Sequence, residues 1–260
     1  MKLNNKFIII VPVYNAKDLI VDCLLSLFTQ SFDDLGIIIR DDCSNDGTDI
    51  EIKKLLGIEE DEVMSKFNNK DFIFIRNKTK LYPVGNTYES VINHVENLES
   101  IIGVVDGDDK LIVRNAVFKI NEIYENENKW MVWSQHKNSN GGIGASRDLP
   151  KDDIIYSNRG YWSVTHFRTS KCSLFHKLNK EDLIDPFDKN SYYKFCGDAA
   201  FLFPFCEMCG NEKSSFLNEV LYYYNNSLPT NEHNKDFNSA VKYGSYIRSN
   251  GKKYSKLFNL

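Results

Sequence analysis

The sequence of 260 residues lacks several features that would assign it to a particular class of protein. Its six cysteines are too few for a disulfide framework in a chain of this length. The formal net charge of −4 gives no basic excess of the kind that dominates nucleic-acid binding. No apolar run approaches the roughly 20 residues that span a bilayer, and the first five residues are too polar for a signal peptide. These absences predict a cytoplasmic protein, and a basic, aromatic stretch near the end leaves peripheral contact with a membrane open.

Apolar runs of strand length alternate with helical patterns in the first half of the chain. The run Phe7–Val13 is typical of a buried strand, and Asn15 is placed to cap the helix that follows. Strand–helix–strand units of this spacing predict parallel strands with right-handed crossovers, and therefore an α/β fold. Further strands are predicted at Ile37–Arg40, Phe72–Ile75, Ile101–Val105, Trp130–Ser134 and Phe216–Tyr224.

Polar residues follow three of these strands: Tyr14-Asn15, Asp41-Asp42 and Asp106-Gly-Asp-Asp109. Ligands of open parallel sheets bind outside the carboxyl ends of the strands. Carboxylates one residue apart on a turn can hold a hard divalent cation and leave positions for phosphate oxygens. An acidic surface turn is the alternative, but the place of the cluster after a strand favours a metal site.

The pair Asp41-Asp42 has two interpretations that can both hold, with one aspartate each. A carboxylate at this strand end can accept a hydrogen bond from a base N–H or a ribose hydroxyl. The segment from Asp42 to Thr48 can also cap the next helix.

The segment Cys206-Glu-Met-Cys209 has the spacing of a zinc-binding pair, but no second pair follows it. It is better interpreted as part of a buried helix that ends at Gly210, with the cysteines packed in the core. Glu207 should then have a partner, because an unpaired charge in an apolar helix is costly. It is a candidate to orient an acceptor or another residue of a site.

Three segments resemble the successive signatures of glycosyltransferase family 2, in that family's order and spacing. They are Ile10-Val-Pro-Val-Tyr-Asn15, Arg40-Asp-Asp-Cys-Ser-Asn-Asp-Gly-Thr48 and Val105-Asp-Gly-Asp-Asp109. The resemblance implies a GT-A fold: a Rossmann-like, mostly parallel sheet flanked by helices, with a C-terminal extension on the acceptor side. It also implies a nucleotide-sugar donor, with a UDP-sugar favoured, and inversion at the anomeric carbon. The divalent metal expected at the acidic turn is Mn²⁺, with Mg²⁺ as the alternative.

The same resemblance implies roles for particular residues. Asn86 falls near an Arg-Asn position of the family, where Gly85 replaces the arginine. Asp108 is expected to bind the metal, with Asp109 close to the diphosphate. The residues expected to bind the donor are Pro12, Val13, Tyr14, Asp41, Asn86, Asp106 and Gly107.

A narrower resemblance extends over the second half, so that it covers most of residues 7–235. By this match Asp198 stands where the family's catalytic aspartate lies and would take the proton of the acceptor hydroxyl; a helix N-cap is the alternative. The segments that carry it are Thr165-His-Phe-Arg-Thr-Ser-Lys171, Gly197-Asp-Ala-Ala-Phe201, Phe203-Pro-Phe-Cys-Glu-Met208 and Tyr222-Tyr-Tyr-Asn225.

Four further side chains are candidates for the site. His233 can complete the metal shell, since neutral imidazole suits Mn²⁺, or be an isolated surface histidine. His166 and Arg168 alternate on a predicted strand and so face one side together. Arg168 can bind the diphosphate or an acidic acceptor, or form a structural ion pair, and Lys235 can reach a phosphate.

No linker divides the chain into two clear domains. Residues 1–110 are predicted to form the nucleotide-sugar half and residues 111–235 the acceptor and catalytic half of one GT-A domain, with a basic, aromatic tail at 236–260. The loop Asn138–Asp148 is a candidate lid. The sequence names neither the oligomeric state nor the acceptor, which could be a glycan, a lipid-linked intermediate, a protein or a modified nucleic acid.

Two other functions remain open at this point. A sugar-1-phosphate nucleotidyltransferase also uses an α/β nucleotide site and a metal, but its glycine-rich loop is missing after the first strand. A nucleotide- or carbohydrate-binding module without turnover would not need the carboxylate Asp198 opposite a metal.

Overall fold

The computed structural model of the protein describes residues 1–228, 234 and 236–260. Its strands are β1 (Phe7–Val13), β2 (Leu35–Asp41), β3 (Glu62–Phe67), β4 (Lys70–Arg76), β5 (Ile101–Val104), β6 (Lys110–Leu111), β7 (Met131–Asn138), β8 (Arg168–Lys171) and β9 (Ser214–Tyr224). Its helices are α1 (Ile20–Phe28), α2 (Thr48–Leu56), α3 (Tyr82–His94), α4 (Ala116–Glu127), α5 (Asp152–Ser157), α6 (Cys172–Phe175), α7 (Gly197–Cys209) and α8 (Phe237–Asn250).

All of these strands belong to one sheet, in the order β3-β4-β2-β1-β5-β8-β7-β9-β6. Strands β4, β2, β1 and β5 are parallel, as the alternation of strands and helices predicts. The rest of the sheet is mixed and not mostly parallel as expected: β7 and β9 are parallel, but β8 is antiparallel to both of its neighbours. A long connection, and not a single crossover helix, leads into β8, so the rule that makes βαβ strands parallel does not apply to it.

Strand β1, near the middle of the sheet, is buried on both faces by helices. Ile8 and Ile10 of β1 point into a core that they share with α3 and α7. Phe7, Ile9 and Val11 point into a second core with α1, α2 and α4. Continuous burial of this kind is typical of parallel strands covered on both sides, and it explains why β1 has the predicted bounds.

Helix α1 begins differently from the expectation. Leu19 occupies its N-cap position, and no side chain caps the helix. Asn15 lies before it with a φ of 51°, and its Oδ1 accepts a hydrogen bond from the backbone N–H of Asn45. The prediction that Asn15 caps α1 is therefore wrong, because its amide holds the loop after β2 instead.

The predicted tail contains helix α8, which packs against α7. Tyr243 and Ile247 of α8 are buried, so the helix contributes to the core.

Among the helices of the described ranges, none has the length and apolar character needed to cross a membrane. No disulfide joins two cysteines of the described residues, and Cys206 and Cys209 are buried in α7 as predicted.

Candidate active site

Several chain segments bring polar side chains to one edge of the sheet. Strands β1, β2 and β5 are parallel and end there. Because β8 is antiparallel to β5, with Arg168 paired to Val104, its first residue lies beside the end of β5. The acidic turn after β5 and the residues at the start of β8 therefore meet. The sequence predicted that the ends of the parallel strands meet at this edge, but not that β8 joins them.

The acidic turn Asp106–Asp109 is built tightly against β1. The N–H of Gly107 donates to the carbonyl oxygen of Pro12 at 3.0 Å, and that of Asp109 to the carbonyl oxygen of Asp106 at 2.9 Å. A Cβ added at Gly107 would lie 2.5 Å from the Cβ of Val13. Glycine is therefore the residue that lets the turn approach β1 this closely.

Gly107→Ala tests this fit. Forcing the extra methyl group against Val13 should lower the free energy of unfolding by about 1–3 kcal/mol, the usual cost of overpacking. Denaturant unfolding measures it, with Gly142→Ala as the control, because a Cβ there would meet two side-chain atoms at longer distances, Oδ1 of Asn140 at 3.2 Å and Nδ2 of Asn138 at 3.7 Å. Equal stability of Gly107→Ala and the unchanged protein would contradict the steric explanation.

Asp109 is the most buried carboxylate of the turn. The hydroxyl of Tyr222 donates to its Oδ2 at 2.7 Å, and the backbone N–H of Asn225 donates to its Oδ1 at 2.7 Å. The Tyr222 oxygen also accepts the N–H of Asp106 at 3.2 Å. Tyr222 thus fixes both ends of the turn from β9, a role that the sequence did not predict.

Burial and crowding oppose negative charge on this turn. Burial raises the pKa of Asp108 to about 6, with repulsion from Asp106 as the second cause. Burial, then repulsion from Asp108 and Asp106, raises the pKa of Asp109 well above its ordinary value. Burial also raises the pKa of Asp106, and Arg168 offsets part of that effect. A cation bound here would relieve this repulsion.

The structure groups Asp106 and Asp109 with His166. One potential ligand atom from each of the three residues lies within 4.8 Å of the other two. Asp108, the metal ligand expected from the sequence, is on the same turn but is not a member of this group. His233, the other expected ligand, and Lys235 both lie outside the described residues.

Arg168 connects the acidic turn to Asp198. Its Nη1 donates to Oδ2 of Asp198 at 3.0 Å, and its Nη2 lies 3.5 Å from Oδ2 of Asp106. The guanidinium is 7% exposed. Asp198 lies in the first turn of α7 and also accepts the N–H of Ala199 at 2.8 Å. Cys196 and not Asp198 occupies the N-cap position of α7, so the alternative interpretation of Asp198 as the N-cap is wrong.

The two aspartates after β2 have different surroundings. Asp41 is fully buried, its Oδ1 accepts the N–H of Ser44 at 3.1 Å, and its Oδ2 lies 3.4 Å from Nε of Arg76. Burial raises the pKa of the Asp41 carboxyl. Asp42 accepts the N–H groups of Leu81 and Tyr82. It therefore holds the start of α3. Within the segment from Asp42 to Thr48 it is Asp46, and not Asp42, that contacts the next helix, because its Oδ1 accepts the N–H of Thr48 at 2.9 Å.

The side chains expected around the nucleoside lie near these strand ends. Pro12 and Val13 are the last residues of β1, and Tyr14 follows with 37% of its surface exposed. The Lys80 ammonium lies 2.9 Å from the centre of the Tyr14 ring. Asn86 is buried in α3, and its Oδ1 accepts a hydrogen bond from the side chain of Asn77 at 2.7 Å.

Gly85 replaces the family's arginine for a visible reason. A Cβ at this position would overlap the ring of Tyr192. The residue before Asn86 therefore has no room for any side chain, and an arginine cannot reach the donor from here.

Glu207 has the buried partner that the sequence requires. Arg159 donates to both carboxylate oxygens, at 2.7 and 2.8 Å, and the N–H of Tyr254 adds a third bond at 2.9 Å. Glu207 follows Asp198 by nine residues on α7, which separates them by about 13 Å along the helix axis. The structure therefore places Glu207 away from the strand-end site, in contact with the C-terminal segment.

The candidate lid is partly fixed to the sheet. The indole N–H of Trp133 donates to the carbonyl oxygen of Arg147, and the amide of Gln135 donates to that of Ser146, both at 3.1 Å. Gly144 packs against the ring of His136. Backbone bonds also hold the turn between these contacts, because the N–H of Ser139 donates to the carbonyl oxygen of Tyr224 at 2.9 Å and that of Asn138 to the carbonyl oxygen of Gly142 at 2.8 Å.

The α/β sheet, with the acidic turn at the end of β5, has the GT-A fold of the solved structures compared below. The chain belongs to glycosyl transferase family 2, whose pattern matches residues 8–183. The match ends before Asp198 and β9.

Solved structures with this fold include TarS from S. aureus, with a TM-score of 0.59 at 18% identity over 85% of this chain and 60% of that chain. The mannosyltransferase PcManGT from Pyrobaculum calidifontis, solved with GDP-Man and Mn²⁺, has a TM-score of 0.55 at 12% identity over 85% of this chain and 56% of its own. Glucosyl-3-phosphoglycerate synthase from Mycobacterium tuberculosis, solved with Mn²⁺, UDP-Glc and phosphoglyceric acid, has a TM-score of 0.52 at 14% identity over 86% of this chain and 73% of its own. The chain thus spans about three fifths of the TarS chain that it matches.

Proposed function

We propose that the protein transfers a sugar from a nucleoside-diphosphate sugar to an acceptor hydroxyl, with inversion at the anomeric carbon and Asp198 as the general base. The observation that carries the proposal is the line of contacts from the acidic turn through Arg168 to Asp198, at 3.5 and 3.0 Å. It sets a carboxylate opposite a cluster suited to a diphosphate and its metal ion. An inverting displacement requires this separation of base and leaving group.

The donor side of the proposal is the edge formed by β1, β2 and the acidic turn. Pro12, Val13, Tyr14, Asp41 and Asn86 bind the nucleoside, and Asp106 and Gly107 lie at the ribose and diphosphate. A UDP-sugar is favoured, and TarS, which shares the fold, has been solved with UDP and with UDP-GlcNAc. The GDP-Man complex of PcManGT keeps a GDP-sugar as the alternative.

The acidic turn fits a divalent cation, with Mn²⁺ favoured over Mg²⁺. Asp109 is buried and Asp106 and Asp108 are half-buried, and burial followed by mutual repulsion raises the pKa of Asp108 to about 6 and that of Asp109 well above its ordinary value. When bound, the ion would neutralise the charge that develops on the departing diphosphate. Asp108, and His233 outside the described residues, remain proposed ligands from the sequence, as Lys235 remains a proposed phosphate contact.

On the acceptor side, Asp198 takes the proton. The acceptor oxygen forms the new bond to the anomeric carbon while the bond to the diphosphate breaks, and the hydroxyl proton passes to the Asp198 carboxylate. Arg168 and the N–H of Ala199 hold that carboxylate in place. We therefore propose that Arg168 orients the base and does not contact the acceptor directly.

The first experiment is a thermal-shift comparison of UDP-, GDP-, TDP- and CMP-sugars, each with Mn²⁺ and with EDTA. A ligand that binds only the folded state stabilises it, by about 2.7 kcal/mol at 100 times its Kd. We expect one nucleotide sugar to raise the melting temperature with Mn²⁺ and to lose this effect in EDTA. The matched control is Asp106→Asn, which should remove the shift.

The absence of a shift with every donor, at millimolar concentrations, would contradict the proposal. Release of pyrophosphate from a nucleoside triphosphate and a sugar phosphate would instead identify a nucleotidyltransferase. A shift without any turnover would identify a binding module.

A further inference from the structure

Helix α8 and the residues after it carry charge of one sign. Residues 237–260 contain five of the 32 basic residues of the chain and none of its 36 acidic residues. Because the whole chain has a formal net charge of −4, this segment is opposite in sign to the rest of the molecule. A cluster of lysine and arginine is attracted to a surface that carries anionic groups.

Two cations of α8 are available to an outside partner. Lys252 and Lys256 lie 3.7 and 3.1 Å from aspartate oxygens. Lys242 and Arg248 are exposed, and neither has an acidic partner among the residues that the structure describes. The Nη1 of Arg248 donates only to a backbone carbonyl oxygen, that of Gly244, at 3.1 Å. Their charge is therefore not neutralised within this part of the chain.

The carboxylates beside α8 are held by other groups. Asp236 precedes the helix and accepts the backbone N–H of Ser239 at 3.0 Å. Asp185 is fully buried and accepts the hydroxyl of Tyr243 at 2.6 Å. Asp188 is paired with a lysine at 2.6 Å. These contacts bind the acidic groups to the fold and leave the basic side chains of α8 facing outward.

Apolar side chains are exposed beside these cations. Phe237 is 64% exposed, and Val241, one turn later on α8, is 49% exposed. Phe187, from the loop before α7, is 45% exposed, and its ring centre lies 5.4 Å from that of Tyr246. The Lys242 ammonium lies 3.6 Å from the centre of the Phe187 ring. We call this region the α8 surface, which consists of Phe187, Phe237, Val241, Lys242 and Arg248.

The α8 surface lies next to the end of α7 that carries Asp198. Cys196, at the N-cap position of α7, donates its Sγ hydrogen to the carbonyl oxygen of Ala240 at 3.3 Å. The inward side of α8 is held in the core by Tyr243 and Ile247. The position of the α8 surface relative to Asp198 is therefore set by packing and not by a loose tail.

We propose that the α8 surface docks on a lipid bilayer that contains anionic headgroups. The aromatic and aliphatic side chains enter the boundary between headgroups and acyl chains, and the cations bind the lipid phosphates. An anionic polymer in solution would pair with the cations but gain nothing from Phe237 and Val241. A second copy of this chain would bring the same positive charge to the contact. A bilayer is the partner that matches both the charge and the exposed apolar groups.

Docking in this way has a consequence for the acceptor. It brings the end of α7 with Asp198 close to the lipid headgroups, a position that suits an acceptor held in the membrane. This consequence rests on the proposed function, whereas the docking itself does not.

Co-sedimentation with vesicles tests the docking without donor or acceptor. The vesicles contain either phosphatidylcholine alone or equal parts of phosphatidylcholine and phosphatidylglycerol. The unchanged protein should sediment with the anionic vesicles and stay in solution with the neutral ones. Raising the salt from about 0.1 M to about 1 M should release it, because the Debye length falls from about 10 Å to about 3 Å. No binding to anionic vesicles at low salt would overturn the proposal.

Matched double variants locate the contact on the protein. Loss of one cation near an anionic membrane weakens binding about fivefold, so Phe237→Ala with Lys242→Gln, which also removes a ring, should weaken it at least about tenfold. Phe118→Ala with Lys54→Gln removes the same two groups from exposed positions on α4 and α2, which cover the opposite face of the sheet. This control should bind like the unchanged protein. Equal binding by the two double variants would show that the α8 surface is not the contact.

The single variant Lys242→Gln keeps the test open if the double variant folds poorly, and it should weaken binding about fivefold. Binding to inorganic polyphosphate but not to vesicles would replace the bilayer by an anionic polymer. A dimer in sedimentation velocity that Phe237→Ala dissociates, without vesicle binding, would assign the surface to a second copy.

The outcome for docking is separate from that for the proposed function. If anionic vesicles bind through the α8 surface and no nucleotide sugar stabilises the protein, docking holds and the proposed transfer fails. If a nucleotide sugar stabilises the protein and no vesicle binds, the transfer holds and docking is wrong.

Discussion

Asp198→Asn is expected to abolish sugar transfer while it leaves donor binding intact. The asparagine amide has nearly the same shape but cannot take the acceptor proton, and a positioned general base contributes about 10²–10⁴-fold to a rate. Within the described residues Asp198 is connected to the acidic turn through Arg168 and not directly. The asparagine oxygen can still accept a hydrogen bond from that guanidinium, so the donor residues should stay in place. Release of nucleoside diphosphate measures the rate, and calorimetric titration measures the Kd of the donor.

The control for this change is Asp33→Asn, which removes an exposed carboxylate far from the strand ends. It should turn over like the unchanged protein. Near-normal turnover in Asp198→Asn would show that another group accepts the proton. Loss of donor binding in Asp198→Asn would instead mean that the carboxylate belongs to the donor side.

Arg159→Met is expected to have the largest effect on stability. The guanidinium is 2% exposed and binds both oxygens of Glu207, which is 1% exposed. It also donates to the carbonyl oxygens of Ile247 and Lys252. Removing one partner of a buried ion pair costs about 3–5 kcal/mol, because the other charge is left without compensation. Denaturant unfolding should detect this as a lower free energy of unfolding.

Two further variants separate burial from simple loss of a charge. The double variant Arg159→Met with Glu207→Leu should recover part of the loss, since no charge remains uncompensated. Lys6→Met breaks the exposed pair with Glu125 at 2.9 Å and should cost no more than about 1 kcal/mol. If Arg159→Met is as mild as Lys6→Met, the buried pair does not hold the C-terminal segment.

The part of the fold that depends on local sequence could be predicted. The run Phe7–Val13 consists of apolar residues with one proline, Pro12, just before its end. It forms β1 with those bounds. The position of the acidic turn could also be predicted from local sequence. Residues that directly follow a parallel strand, as Asp106 to Asp109 do, lie at the carboxyl edge of the sheet. The family and the GT-A fold expected from these segments are confirmed.

The contacts that depend on distant parts of the chain could not be predicted. Because a charge in an apolar helix is costly, the sequence predicted that Glu207 has a partner. No sequence pattern identified that partner as Arg159, which lies 48 residues earlier. The grouping of His166 with Asp109 depends on β8 being antiparallel to β5 and on Tyr222 arriving from β9. Alternation along a strand predicts which residues share a face, but not which strand lies next to it.

Strand β8 is short, and its register assigns its residues to very different surroundings. Arg168, its first residue, is paired with Val104 and faces the strand-end site, whereas Phe167, the residue just before the strand, is fully buried and stacks on Phe7 in the core of the other face. A shift of one residue along a strand moves every side chain to the opposite face. Inserting or deleting a single residue here would exchange a phenyl ring for the guanidinium between Asp106 and Asp198. A change in the length of this strand should therefore be more damaging than a conservative change of one of its side chains.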